Sequence, residues 1–241
     1  MKKLALILFV SLLALSSYAQ NLQTHYDLGK DRKFLTTTVE MFRPDKFGST
    51  FFFIDMNYGV AGIEGVSLAY WEIARALKFG KCPVALHLEY NGGFGQFPAT
   101  PFNGAYQIND AYLGGIEYSL NAKDFSRGIT LQAMYKNIRG KNQNSFQVTA
   151  VWYANFFNNK LTFDGFADFW KEDNVFQIGV DPNGDRILET TKFVFLSEPQ
   201  LWYNCCKNFA VGSEIELGYN FTGNPTKGFH VNPTAALKYT F

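Results

Sequence analysis

The most regular pattern in this chain is a two-residue alternation of apolar and polar positions, and it is clearest in the last segment. Counting back from Phe241, every second residue as far as Val231 is apolar, and the residues between them are polar or small. Successive side chains of a β-strand point to opposite faces, so the alternation predicts a strand with one apolar face. A closing strand that ends in an aromatic residue is typical of a bacterial outer-membrane barrel, with the apolar face outside.

Segments with the same pattern recur along the chain, and we predict twelve strands. They cover approximately residues 22–28, 34–43, 49–58, 65–75, 83–91, 110–120, 128–136, 145–155, 160–171, 191–203, 209–220 and 229–241. An even number is what a bacterial barrel needs when both ends of its chain lie on the same side of the membrane. The sequence therefore predicts an all-β fold, a transmembrane antiparallel up-and-down β-barrel of about twelve strands.

The predicted connections differ in length in an ordered way. The two longest, 92–109 and 172–190, fall at the same end of the barrel, whereas Asn158-Asn159 and residues 205–208 form short turns at the other end. Outer-membrane barrels have long external loops and short periplasmic turns, so this asymmetry predicts the orientation. It does not indicate what the two long loops do.

The first residues resemble a secretory signal peptide. Lys2 and Lys3 precede the apolar run Leu4 to Leu15, and Ser17-Tyr18-Ala19 places small residues where a signal peptidase reads them. We predict a signal peptide at 1–19 and a single barrel domain at 20–241. The apolar run is shorter than the ~20 residues of a membrane-spanning helix. The expected location is the outer membrane of a Gram-negative bacterium, where outer-membrane lipid and the barrel-assembly machinery are partners of a monomer.

Composition excludes some classes of function. Loss of Lys2 and Lys3 leaves 20 basic against 21 acidic residues, a net charge near −1. This balance lacks the basic footprint of a nucleic-acid binder, so no nucleic-acid partner is predicted. The three cysteines show no C-x-x-C spacing and the three histidines are scattered, so no metal, cofactor or catalytic group is predicted. Whether Cys82 pairs with Cys205 or Cys206 is left open.

The alternation also predicts which side chains line the lumen. An Arg or Lys on the lipid face at mid-membrane would cost about 2–4 kcal/mol. The set of alternate residues that carries the charges on each strand must therefore face inward. Acidic residues dominate the predicted lumen: Asp27, Glu40, Asp55, Glu72, Glu89, Glu117, Asp164, Asp168, Glu198, Glu214 and Glu216. Bases such as Lys136 and Lys238 are few. Aromatic residues share the inward parity: Phe51, Phe53, Tyr70, Phe166, Trp170 and Trp202.

Acids and aromatic rings in a narrow passage favour a small neutral or cationic solute with hydroxyl groups and a flat face. Rings stack on the flat part, and carboxylates accept hydrogen bonds from hydroxyls or amines. A nucleoside meets both requirements, and an anionic solute is disfavoured. The main candidates for solute contact alternate on one strand beside 172–190: Asp164, Phe166, Asp168 and Trp170. Further lumen candidates are Glu89, Phe53, Asp55, Glu198 and Trp202.

Several segments resemble a known family. They are FLTTTVEMF (34–42), GSTFFFIDMNY (48–58), GVSLAYWEIAR (65–75), GFADFW (165–170) and EPQLWYN (198–204). In these segments the chain resembles an uncharacterised family of outer-membrane barrels that is similar to the nucleoside-specific channel-forming (Tsx-like) family. The resemblance spans nearly the whole mature chain. It implies a twelve-stranded monomeric barrel that passes nucleosides, but it transfers no binding residues one by one.

Two other classes of function were weighed against a channel. A structural or receptor-type barrel would place its important residues in the loops 92–109 and 172–190. An outer-membrane lipid hydrolase would also have twelve strands, but its Ser and His must meet lipid on the outer face. The parity of this chain turns His25, His87 and His230 inward. That orientation disfavours the hydrolase, and no enzyme activity is predicted.

Overall fold

A computed structural model describes residues 20–30, 32–141 and 144–241 of the protein. Its strands are β1 (Gln20–Asp27), β2 (Leu35–Asp45), β3 (Gly48–Tyr58), β4 (Val66–Lys78), β5 (Val84–Phe97), β6 (Gly104–Asn121), β7 (Arg127–Ile138), β8 (Ser145–Phe156), β9 (Leu161–Val180), β10 (Arg186–Ser197), β11 (Gln200–Asn204), β12 (Phe209–Tyr219) and β13 (Phe229–Thr240). A short 3-10 turn, Val60–Gly62, follows β3. Among these residues, no helix is long and apolar enough to cross a bilayer.

The strands close into a single antiparallel barrel. Nearly every strand pairs with the next one along the chain, and β1 pairs with β13 to complete the circle, with Tyr26 opposite Ala235. Segments β10 and β11 share one place in the wall, because each pairs with β9 on one side and with β12 on the other. The barrel therefore has twelve strand positions, which confirms the predicted fold class.

The tenth strand position is broken at Glu198-Pro199. Pro199 has no N–H to donate to a ladder. The Ser197 hydroxyl and the Glu198 N–H both donate to the carbonyl of Phe166, over 2.7 and 3.1 Å. Gly165 has a φ of +148°, and a Cβ there would lie 2.5 Å from the Glu198 carbonyl oxygen. Only glycine allows this approach of β9 to the break, which holds Glu198 against the wall.

The predicted parity of inward and outward side chains is confirmed. On β12, Val211, Ile215 and Tyr219 are exposed on the outer surface, while Glu216 between them is buried inside. The same alternation gives the barrel an apolar outer belt, as a transmembrane barrel requires. Examples from around the belt are Leu22, Ile73, Leu88, Ile116, Leu131, Val148, Phe169, Leu201 and Leu237.

The two ends of the barrel differ in their connections. The turn end carries the short connections 46–47, 79–83, 122–126, 157–160 and 205–208 together with both ends of the described barrel. There the Thr240 N–H donates to the Asn208 carbonyl over 2.8 Å. Exposed phenylalanines mark this end, as expected where a barrel meets the membrane interface: Phe47, Phe79, Phe125, Phe157 and Phe241. The opposite end, the loop end, carries the remaining connections.

The prediction of long irregular loops at 92–109 and 172–190 was wrong. Strand β5 continues to Phe97 and β6 begins at Gly104, so only 98–103 connects them, and β9 and β10 are joined by 181–185 alone. Pairing of β6 with β7 begins at Ala111, and pairing of β8 with β9 ends at Trp170. The two segments are therefore β-hairpins whose outer parts project past the neighbouring strands at the loop end.

The glycines of the first hairpin explain why its strands were missed. Gly92, Gly93 and Gly95 give a turn signal in the sequence. In the structure a Cβ on Gly93 would lie 2.4 Å from the Ala69 carbonyl oxygen, and a Cβ on Gly95 would meet the ring of Tyr106. These glycines let strands and rings pack closely within a continuous ladder.

Two further predictions concern the ends of the chain and its cysteines. The signal peptide at 1–19 lies outside the described residues and stays a prediction. Cys82, Cys205 and Cys206 lie in two turns at the turn end, and all three are free and exposed.

Candidate functional site

The inward faces of the strands form an acidic lumen in which two clusters can be distinguished. The Glu72 cluster comprises Tyr70, Glu72, Glu89, Lys136 and Asp168. The Glu214 cluster comprises Asp55, Glu198, Gln200, Glu214 and Glu216. Both contain residues predicted to line the lumen, and most of their carboxylates remain partly accessible to water.

In the Glu72 cluster, carboxylates from three strands face one another. Glu72 on β4 accepts a hydrogen bond from the Tyr70 hydroxyl over 2.7 Å. Asp168 on β9 accepts one from the Thr149 hydroxyl on β8. Strands β4 and β9 are far apart in the wall, yet Glu72 and Asp168 interact electrostatically, and Glu89 on β5 interacts with both. The cluster therefore joins acids from strands on different sides of the lumen.

His87 holds Glu89, a member of this cluster, and the neighbouring Glu117. Its Nε2 lies 3.0 Å from Glu89 Oε2 and its Nδ1 lies 2.8 Å from Glu117 Oε2. The ring is buried between the two acids and has both nitrogens occupied. The second oxygen of Glu89, Oε1, is buried and accepts no hydrogen bond from the described residues.

Lys136 covers the ring of Trp170, one of the predicted solute contacts. Its Nζ donates to Gln147 Oε1 over 2.7 Å and lies 4.5 Å from the centroid of the Trp170 ring. Trp170 is only 7% exposed, and its Nε1 donates to Glu172 Oε2 over 2.8 Å. Such a cation–π contact leaves the indole little free surface. Phe166, four residues earlier on β9, is partly exposed and remains accessible for stacking.

The Glu214 cluster also reaches across the lumen. Asp55 on β3 accepts a hydrogen bond from the Thr38 hydroxyl, and Gln200 donates to Glu214 Oε2 over 2.6 Å. Asp55 interacts electrostatically with Glu198 and Glu214, which lie on the far wall. The Glu72 cluster and the Glu214 cluster are thus two separate sets, and the acids within each set face one another across the same passage.

Trp202 and Asp164 lie next to a buried lysine. Lys238 Nζ is 3.6 Å from Asp164 Oδ2 and 4.1 Å from the centroid of the Trp202 ring. Trp202 is fully buried, its Nε1 donates to Gln200 Oε1 over 2.9 Å, and the His25 ring meets its edge at 5.9 Å. This tryptophan therefore packs the lumen wall and has no free face for a solute.

An arginine from a connection enters the lumen from the loop end, and no pattern in the sequence predicts it. Arg32 lies between β1 and β2, and its Nη1 contacts Glu216 Oε1 and Oε2 at 2.8 and 2.9 Å. Its Nε lies 2.7 Å from Asp27 Oδ2. Asn224 and Asn232 also donate to Glu216 Oε1. The contacts tie the connections 28–34 and 220–228 to the inner wall.

Aromatic rings lie on two opposing walls. Phe51, Phe53 and Tyr70 form a row with successive centroids 6.0 Å apart. Phe53 is the pairing partner of Glu72, and Phe166 precedes Asp168 by two positions on β9. Because Glu72 and Asp168 face each other across the lumen, the row and Phe166 lie on facing walls.

The structure thus brings together most of the predicted site residues, but it divides them between two clusters. Glu89, Phe53, Phe166 and Asp168 meet around the Glu72 cluster, whereas Asp55 and Glu198 belong to the Glu214 cluster. Solute contact by these residues stays a prediction. Within 20–30, 32–141 and 144–241, no three His, Cys, Asp or Glu side chains are placed to hold a metal ion.

The three histidine rings contact polar or acidic side chains. His25 contacts Thr234 and Gln23, His87 contacts two glutamates, and His230 contacts Thr226. The hydrogen bonds of these rings within the described part of the chain include none to a serine.

The chain is similar to several solved barrel structures. The NanC porin is similar over 92% of this chain and 100% of that one, with a TM-score of 0.55 and 11% identity. The KdgM porin matches 92% of this chain and 99% of that one, with a TM-score of 0.49 and 10% identity. Omp33 of Acinetobacter baumannii matches 93% and 99%, with a TM-score of 0.44 and 14% identity. The NanC likeness shows a porin-type barrel.

Sequence comparison gives a family but no curated relative. The model of a family described as domain of unknown function (DUF5020) matches residues 19–241. None of the curated proteins is significantly similar to the chain. The resemblance to the nucleoside-specific channels stays a prediction.

Proposed function

Because the chain belongs to the family described as domain of unknown function (DUF5020), which names no activity, we propose a function from the barrel itself. The protein is a monomeric outer-membrane channel for small neutral or cationic solutes that carry hydroxyl groups, and nucleosides are the first candidates. The apolar belt, the closed ladder and the porin-type fold support a place in the outer membrane.

The observation that carries this proposal is the set of carboxylates facing one another across the lumen. Glu72 faces Asp168, and Asp55 faces Glu198 and Glu214. Lys136, Lys238 and Arg32 are the bases beside them, and each is already held by an acid, an amide or a ring. A passage lined by this excess of acidic groups disfavours anions and favours cations and hydrogen-bond donors.

The aromatic residues supply a second requirement, which is contact with a flat group. The row of Phe51, Phe53 and Tyr70 faces Phe166 across the passage, and all four rings are partly exposed. A nucleobase can lie against either wall while its sugar hydroxyls donate to the neighbouring carboxylates. Trp170 and Trp202 are excluded from this role because their rings are covered.

We expect Phe166→Ala to slow nucleoside entry several-fold at low concentration. Removing the ring takes away one stacking wall, and a stacking contact in a wet passage contributes on the order of 1 kcal/mol. The measurement is uptake of adenosine into liposomes that contain the purified barrel, with glycine as a solute that cannot stack. Glycine uptake should be unchanged.

Phe163→Ala is the matched control, because Phe163 lies on the same strand with its ring on the outer surface. It should leave adenosine uptake at the wild-type rate. Equal entry of adenosine and size-matched sugars through the wild type would reject nucleoside preference and leave a general small-solute channel.

A further inference from the structure

We propose that the Glu72 cluster is a binding site for an organic cation with several N–H donors, such as an alkylammonium or a guanidinium group. The inference rests on the proposed channel function and deepens it by naming the chemical class that the lumen holds. The cation would be bound by the carboxylates of Glu72, Glu89 and Asp168, which come from β4, β5 and β9.

Each of these carboxylates is held by a hydrogen bond to one of its oxygens, and its second oxygen can accept a hydrogen bond from a ligand. Glu72 is held by the Tyr70 hydroxyl, Asp168 by the Thr149 hydroxyl and Glu89 by His87. The side chain of Glu89 is 8% exposed, and its Oε1 has no hydrogen-bond partner among the described residues. A buried carboxylate oxygen without a donor is unfavourable, and an N–H group of a bound cation would supply one to Glu89 Oε1.

The three carboxylates come from strands on different sides of the lumen, and Glu72, Glu89 and Asp168 interact electrostatically with one another. Within the described residues, no three His, Cys, Asp or Glu side chains are placed to hold a metal ion. A cation with several N–H groups can donate to carboxylates on separate strands at once.

The protein already uses this kind of recognition in the same lumen. The guanidinium of Arg32 lies between Asp27 and Glu216, with contacts of 2.7 to 2.9 Å. A planar guanidinium matches carboxylates because its donors are fixed in a fork. The Glu72 cluster has the same type of ligands but no arginine.

Lys136 limits the affinity of the site. It interacts electrostatically with Glu72 and Asp168, although its Nζ is turned to Gln147 and Trp170. It therefore offsets part of the negative charge without supplying a donor to Glu89. Removing its charge should strengthen cation binding, whereas neutralising an acid should weaken it.

The test is equilibrium binding of methylguanidinium chloride to the folded barrel in detergent, measured by calorimetry. We expect Asp168→Asn and Glu72→Gln each to raise the Kd about ten-fold, because each removes one charge-assisted contact. Lys136→Met should lower the Kd. Glu64→Gln, which removes an acid in the exposed connection 59–65, should leave it unchanged.

Tetramethylammonium separates recognition from simple charge attraction, because it carries the same charge without N–H donors. It should bind at least ten-fold more weakly than methylguanidinium. Equal affinities for the two cations, or a wild-type Kd in both acid variants, would overturn the site. The unboiled mobility of each variant on a denaturing gel shows that it is folded before its Kd is compared.

Binding and transport can fail independently. Methylguanidinium binding with the expected variant pattern, but no solute entry into liposomes, would reject the channel and keep the site. Solute entry without binding would reject the site and keep the channel.

Discussion

Replacing Arg32 with alanine should both destabilise the barrel and raise its conductance. The substitution leaves Asp27 and Glu216 buried without their cation, and breaking a buried ion pair costs about 3 kcal/mol. It also removes the contact that ties the connection 28–34 to the inner wall. The temperature at which the folded gel band converts to the unfolded band should fall, and the single-channel current in a planar bilayer should increase.

A second substitution distinguishes the ion pair from a general packing defect. Arg32→Ala combined with Glu216→Gln removes one of the unpaired charges, so part of the lost thermal stability should return. The conductance should stay high, because the connection is still released. Wild-type stability and wild-type conductance in the Arg32→Ala variant would show that Arg32 does not hold the connection in place.

Trp202→Ala should lower the free energy of unfolding more than a change at any other predicted solute contact. The indole is fully buried and packs with Ala210 and Ala236 beside Lys238. Truncating a buried tryptophan to alanine costs about 3–5 kcal/mol, because it removes apolar contacts and leaves a cavity. Urea unfolding of the detergent-solubilised barrel, followed by tryptophan fluorescence, gives the measurement.

Trp202→Phe is the matched control for this experiment. It keeps an aromatic ring and loses the hydrogen bond from Nε1 to Gln200, which contributes about 1 kcal/mol. Its loss of stability should therefore be much smaller than that of the alanine variant. If both variants unfold at the wild-type urea concentration, Trp202 does not pack the wall as described.

The strands could be predicted from the sequence because a barrel wall imposes a period of two. Lipid outside and water inside force alternate residues such as Ile215 and Glu216 to differ in polarity, and that difference is visible in the chain. Hairpin residues beyond the wall lack this constraint. The pattern of residues 92–109 and 172–190 therefore predicts loops. Glycines such as Gly93 give a turn signal in the sequence, although in the structure they allow close packing of strands.

The lumen could be predicted only in part. Parity places a side chain inside but does not say how deep it lies or what covers it. Asp168 and Phe166 face the passage as predicted, whereas Trp170 is covered by Lys136 and Trp202 is buried beside Lys238. Arg32 left no pattern at all, because its role depends on how a connection folds back on the wall. Contacts across the barrel join strands that are distant in the chain, and a local pattern does not encode them.

Selection against anions by the acidic lumen can be measured by comparing adenosine with adenosine monophosphate. The two solutes share the base and the ribose and differ in one phosphate group. Both are followed as they enter liposomes that contain the wild-type barrel, at moderate salt so that charges in the lumen are not fully screened. We expect adenosine to enter several times faster than its monophosphate. Entry of the monophosphate at an equal or higher rate would show that the lumen does not select against anions.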